Sequence, residues 1–237
     1  MKSLLTGITL MSLVLLFSVR VEKALLFLNL HSILIVILGT FAILCIATPP
    51  RDILQLVKSI LKIGKEDFND AEIKASIIQL SKNKLYPTKS KHPLIQYATS
   101  LWEQGTDENL LKVLLLQKTQ QLQDDEERTL LAIKNLAKYP PALGMLGTVI
   151  GLVYMFSELT TNNKDQIGIN LALAMTATFY GLLLANAILL PLADRLQIKF
   201  SKINQQNYEI LETLLLIAEE TPESFLEDKF NEQNTAA

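Results

Sequence analysis

Apolar residues fall into four long runs, at residues 4–19, 24–48, 140–159 and 167–193, and polar stretches separate them. Runs of this length without charge predict membrane-spanning helices, which need about 20 apolar residues to cross the hydrocarbon layer. The first run is short for a span, and snorkelling of Arg20 and Lys23 could extend it. Residues 160–166 are few and polar, so the last two spans should form an antiparallel hairpin. Between the second and third runs, residues 107–138 place leucines at helical spacing with no proline or glycine. That pattern predicts a long helix running into the third span, with a bend at Tyr139-Pro140-Pro141. Proline costs little there, because the first helical turn has no internal acceptors for its N–H groups. Residues 82–93, with Pro87, Pro93 and four lysines, predict a loop. The end of the chain, 231–237, is polar and predicts disorder.

Charge sharpens this picture. Residues 24–50 carry none, and residues 140–193 carry only Glu158, Lys164 and Asp165. Hydrophobic residues make up 49% of the 237, and the net charge of −2 gives no basis for nucleic-acid binding. Lys2 followed by an apolar run resembles a secretory signal, but no small-x-small cleavage site follows, so we read a retained helix. Eleven lysines and arginines near span ends (Lys2, Arg51, Lys58, Lys62, Lys65, Arg128, Lys134, Lys138, Arg195, Lys199, Lys202) lie on one side. Arg20, Lys23 and Lys164 lie on the other. The positive-inside rule then puts both termini and the long middle segment in the cytoplasm. The expected organisation is spans one and two in 1–48, a cytoplasmic helical domain in 49–138, spans three and four in 139–193, and a cytoplasmic helix and tail in 194–237. The fold class is an all-α membrane protein with four transmembrane helices.

Candidate chemistry is sparse. The single cysteine, Cys45, sits in an apolar run, and His31 and His92 lack acidic or cysteine neighbours at metal spacing, so no metal site is expected. No nucleophile, base and orienting group stand at readable spacing, which argues against an enzyme. In the third span Gly144, Gly147, Thr148 and Gly151 share one face. In the fourth, Ala174, Thr178, Gly181 and Ala185 do the same. Small faces let membrane helices approach closely. Two readings stand on spacing alone: a tight hairpin, or faces lining a path in which Thr148 and Thr178 offer hydroxyls. Neither span has an Asp, Glu, Lys, Arg or His near its middle. Either the chain moves no ions, or a partner supplies the titratable group. His31, at the outer end of the second span, reads as an interface residue, and Glu158, at the outer end of the third, reads as a solvated helix end, with an entry-mouth role as the alternative.

The run from Tyr139 to Val153, the elements Thr178-Phe179-Tyr180-Gly181, Ala185-Asn186 and Pro191-Leu192-Ala193-Asp194 resemble the third- and fourth-helix signatures of the MotA/PomA stator subunits. Ser32–Val36 with Gly39-Thr40 resembles their second span, and Gly105-Thr106-Asp107 a turn of their cytoplasmic domain. The resemblance covers about residues 24–200 and is specific in spans three and four. It implies a pentamer around two copies of a single-span MotB/PomB-like partner that carries the ion-binding aspartate, in the bacterial inner membrane. Ion flow would turn the ring and generate torque. Pro141 and Pro191 would couple ion passage to shape change, and Thr148 and Thr178 would face the pore. No cofactor is implied beyond the transported H+ or Na+.

Two departures bear on this. Sodium-type members carry two threonines where this chain has Ala177-Thr178, which favours protons. Flagellar members also carry an arginine and a glutamate that engage the cytoplasmic rotor. The corresponding stretch, 77–92, is shorter and offers Lys82, Lys84, Lys89 and Lys91 with no acid. These lysines could meet an acidic rotor or partner, face anionic membrane lipid, or sit in a solvated loop. The competing functions are a TolQ/ExbB-like energiser of another envelope process, which would have three spans, and a non-conducting membrane scaffold.

Overall fold

The computed structural model describes residues 2–18, 27, 29–64, 70–82, 84, 90–159 and 164–219. The described residues are helical or in turns, with no strand among them. They divide into two compact units, one from 1–64 and 128–197, the other from 65–127 and 198–237.

The first unit begins with α1 (Lys2–Ser18), 17 residues long. At 1.5 Å per residue that is about 25 Å, somewhat less than the hydrocarbon thickness. Next comes α2 (Leu30–Ala47). The expected second span began at residue 24, and residues 24–26 and 28 lie outside the described residues; the described helix begins at Leu30. Asn29 caps it: its side chain accepts hydrogen bonds from the backbone N–H groups of His31 and Ser32, 3.1 and 3.3 Å long. Thr48 and Pro49 end α2 in extended conformation, and α3 (Pro50–Leu61) follows with proline in its first turn. The unit resumes with α7 (Tyr139–Leu159) and α8 (Lys164–Leu183), which pack along each other as the expected hairpin. α8 thus starts inside the stretch read as linker, and residues 160–163 lie outside the described residues. α2 packs on both α7 and α8. Its buried stripe, Ser32, Val36, Thr40 and Leu44, recurs every fourth residue, so one side of the helix faces protein. Ile37, Leu38, Phe41 and Ile46 are exposed, as a lipid-facing side requires.

Among the described residues, three helical stretches are long and apolar enough to cross a membrane: 30–47, 108–158 and 167–218. The second of these joins the middle-segment helix α6 (Glu108–Leu136) to α7 through a turn at Ala137 and Lys138, just before the bend expected at Tyr139-Pro140-Pro141, which are the first residues of α7.

The second unit has a conventional apolar core. It contains α4 (Asp70–Lys82), α5 (Pro93–Glu103), the N-terminal part of α6 and the C-terminal part of α9 (Leu190–Ala218). Ile77, Leu80, Leu94, Ile95, Leu111, Leu115 and Leu214 are its largest fully enclosed apolar side chains. Gly105 has φ +67 and closes α5 in a Schellman motif. The Thr106 N–H donates to Leu101 O and the Gly105 N–H to Trp102 O. Asp107 then starts α6 by accepting from the Asn109 N–H. Lys112 binds Glu108 and Glu219 at 3.0 and 2.9 Å, tying the start of α6 to the end of α9. His92 caps α5: its Nδ1 accepts from the Leu94 N–H, so its proton sits on Nε2. Burial, opposed by a hydrogen bond with Asn207, lowers its pKa to about 4.

Candidate functional site

The α7–α8 seam is built from residues with almost no side chain. A Cβ added at Gly144 would lie 2.9 Å from Ala177 O and 2.9 Å from Thr178 Cα. One at Gly147 would meet the Ala177 Cβ at 2.5 Å, and one at Gly151 the Ala174 Cβ at 2.7 Å. Gly181 faces the Pro140 carbonyl with no room for a side chain. Gly144, Gly147, Gly151, Ala174, Gly181 and Ala185 are all buried, so both small faces take part in tight packing.

Within this seam the two threonines singled out by spacing meet. Their hydroxyl oxygens are 2.5 Å apart. Thr148 Oγ1 also lies 3.1 Å from both Gly144 O and Ala174 O, and Thr178 Oγ1 lies 3.2 Å from Gly144 O. Two hydroxyl protons therefore serve the Thr–Thr bond and two carbonyl acceptors. One hydroxyl must donate to the other, leaving a single proton for the carbonyls, and the pattern can be exchanged by rotating hydroxyls. Such a cluster can relay or solvate a cation but cannot hold charge.

The prolines bracket this seam. Pro141 is half-buried in the first turn of α7. Pro191 is exposed at the second position of α9, immediately after a wide π-helical segment, Leu184–Leu189. The causes connect: Pro191 has no N–H for the carbonyl four residues back, and its ring would clash with it. The wider turn relieves that conflict, and the Leu190 N–H donates to Ala185 O, five residues back. The Asn186 side-chain amide bonds Leu182 O in the same stretch.

Other residues at the seam were not singled out by spacing. Ser32 of α2 and Thr176 of α8 are buried, with hydroxyls 2.9 Å apart, and Ser32 also donates to Leu173 O. A serine in an apolar helix is the available signal, since a hydroxyl in a span needs a partner. The Tyr180 hydroxyl donates to the Phe27 carbonyl, and the Phe27 and Phe179 rings meet edge to face at 5.4 Å. Ala177, fully buried, is the residue that Gly144 and Gly147 pack against. Of the basic positions, Lys82 ends α4 exposed and Lys84 is half-buried in a turn, while Lys89 lies outside the described residues. Among the described residues no three histidine, cysteine or acidic side chains group at metal distance.

This is a multi-span helical membrane protein organised around a close-packed hairpin with a hydroxyl pair at its centre. Residues 86–209 match the model of the MotA/TolQ/ExbB proton channel family. "Motility protein A" of Aquifex aeolicus is 32% identical over 185 residues, covering 72% of this chain and 71% of that protein. "Uncharacterized protein YtxD" of Bacillus subtilis is 30% identical over 185 residues, covering 73% of this chain and 66% of that one. A solved structure, "Structure of C. jejuni MotAB", shares the fold with a TM-score of 0.79 at 20% identity, over 96% of this chain and 93% of that chain. The chain belongs to the MotA/TolQ/ExbB proton channel family.

Proposed function

We propose that the chain is the channel-forming stator subunit of a torque-generating motor, of the kind used in flagellar motility. It would work with a single-span MotB-like partner in the bacterial inner membrane, its termini and second unit in the cytoplasm. The observation that carries this reading is the Thr148–Thr178 hydroxyl pair in a glycine-lined seam with no titratable side chain near the middle of either helix. A pathway of this composition needs an acid from elsewhere, because hydroxyls solvate a proton without storing it. The solved MotAB complex of the same fold supports such a partner, and the relatives named for motility support the output.

Assembly as a ring around that partner follows from the same likeness. Ala177 beside Thr178 leaves one hydroxyl fewer for a sodium shell, so the transported ion in this reading is the proton. Lys82, Lys84 and Lys89 form the basic contact offered to an acidic rotor or other cargo.

The test has two parts. Tagged chain purified from its own cells should carry a single-span protein with an aspartate early in its span, and no such companion would refute the channel reading. Proteoliposomes of the pair should acidify under a membrane potential at any sodium concentration. A strict sodium requirement would overturn the proton assignment.

A further inference from the structure

We propose that α3 is a membrane-surface helix that binds anionic lipid headgroups at the cytoplasmic mouth of α2. The inference rests on the face of α3 and does not depend on ion conduction. On a helix advancing about 100° per residue, Leu54, Val57 and Leu61 form one ridge about 60° wide. These side chains are 56%, 47% and 76% exposed, while Leu56, further round the same apolar side, is buried at 3%. α3 therefore packs with one edge of its apolar side and leaves the other uncovered.

The uncovered ridge has basic neighbours. Arg51, Lys58 and Lys62 fall within about 40° of one another, beside the ridge, and all three are exposed. Asp52, the helix's sole acid, lies on the far side of them. An apolar ridge flanked by cations whose stems can snorkel is the pattern of a helix lying in a lipid interface.

Position fixes the choice of surface. α3 is joined to the charge-free helix α2 by Thr48 and Pro49 alone, both extended, so its first turn is held where the hydrocarbon ends. At that level the ridge meets acyl chains and the cations meet phosphate. Each basic residue near an anionic surface strengthens association roughly fivefold.

The experiment uses the full chain in vesicles, with Cys45→Ser and a polarity-sensitive dye on Leu61→Cys. Vesicles of phosphatidylcholine alone are compared with vesicles containing phosphatidylglycerol. Nitroxide lipids labelled near the headgroup and aqueous iodide serve as opposing quenchers. The expected result is quenching by lipid nitroxide, protection from iodide, and a stronger effect with phosphatidylglycerol. High salt should weaken that preference in the otherwise unaltered chain. R51Q, K58Q and K62Q should each shift the phosphatidylglycerol dependence roughly fivefold. Full iodide access in both vesicles would overturn the proposal. So would lipid quenching that ignores headgroup charge and salt, or protection from both quenchers with a disulfide between two copies at position 61, which would make the ridge a contact between chains.

Discussion

Replacing Gly144 with alanine tests whether the α7–α8 seam is as close as the geometry requires. The new Cβ would sit 2.9 Å from Ala177 O and 2.9 Å from Thr178 Cα. Both are backbone atoms, so no rotamer change relieves the contact. Reaching ordinary van der Waals separation moves the helices apart by about 0.5 Å or more, and a gap of that size forfeits a quarter or more of each contact's dispersion energy along the seam. The same movement stretches the Thr178 Oγ1 to Gly144 O contact beyond its present 3.2 Å. Overpacking of this kind costs about 1–3 kcal/mol. Two other glycines calibrate the result. Gly168→Ala meets nothing within 4 Å and should be neutral or slightly stabilising. Gly39→Ala meets the tip of the Leu143 side chain at 2.9 Å, which can swing aside, so its loss should be small. Thermal unfolding of purified chain in detergent, followed by size-exclusion fluorescence, would rank the three. Gly144→Ala should melt lowest and Gly168→Ala with the parent. If Gly144→Ala melted with the parent and conducted normally, the close-seam account of this site would be wrong.

Three further outcomes are expected. His92 has its pKa lowered to about 4 by burial, so it stays neutral in the fold while the unfolded chain takes up a proton at about 6.5. Stability is then complete above about pH 6.5 and falls as pH drops towards 4, by on the order of 3 kcal/mol. Melting scans across that range should show the loss, and His92→Asn, which keeps an N-cap, should flatten it. Thr178→Val keeps shape but removes the hydroxyl, and should cost about 1 kcal/mol of seam stability. It should also slow proton flux while leaving partner binding intact, as measured by dye acidification and co-purification. Gly105→Ala places a Cβ at φ +67 and should lower the melting temperature by the equivalent of about 1–2 kcal/mol.

The hydrophobic plan of the first unit was legible because charge-free runs and small-residue spacing follow from the membrane itself. The small face of Gly144, Gly147 and Gly151 could be read from helical spacing, but spacing left a tight hairpin and a hydroxyl-lined path both open, and the contact between Thr148 and Thr178 needed the structure. Hydropathy does not mark where α2 starts, because Ala24 and Leu30 are both apolar. Asn29 is the residue that marks it, as a cap before an apolar run. Ser32 and Thr176 were out of reach because their pairing depends on how α2 lies against α8, which no single-helix pattern contains. The second unit's core draws on α4, α5, α6 and α9, of which only the long helix over 107–138 and a C-terminal helix could be read, and not how any of them pair.

The wide turn before Pro191 also sets a packing register. Along α8 and into the wide segment the buried small residues run Ala174, Ala177, Gly181, Ala185, at spacings an ordinary helix keeps on one side. The next buried positions are Ala193 and Leu196. From Ala185 to Ala193 is eight residues, where two ordinary turns take about seven. The segment Leu184–Leu189 absorbs the surplus residue, so the inward stripe continues in phase beyond the proline. A chain shortened by one residue within the segment would lose the wide turn and bring the Pro191 ring back against the carbonyl four residues before it.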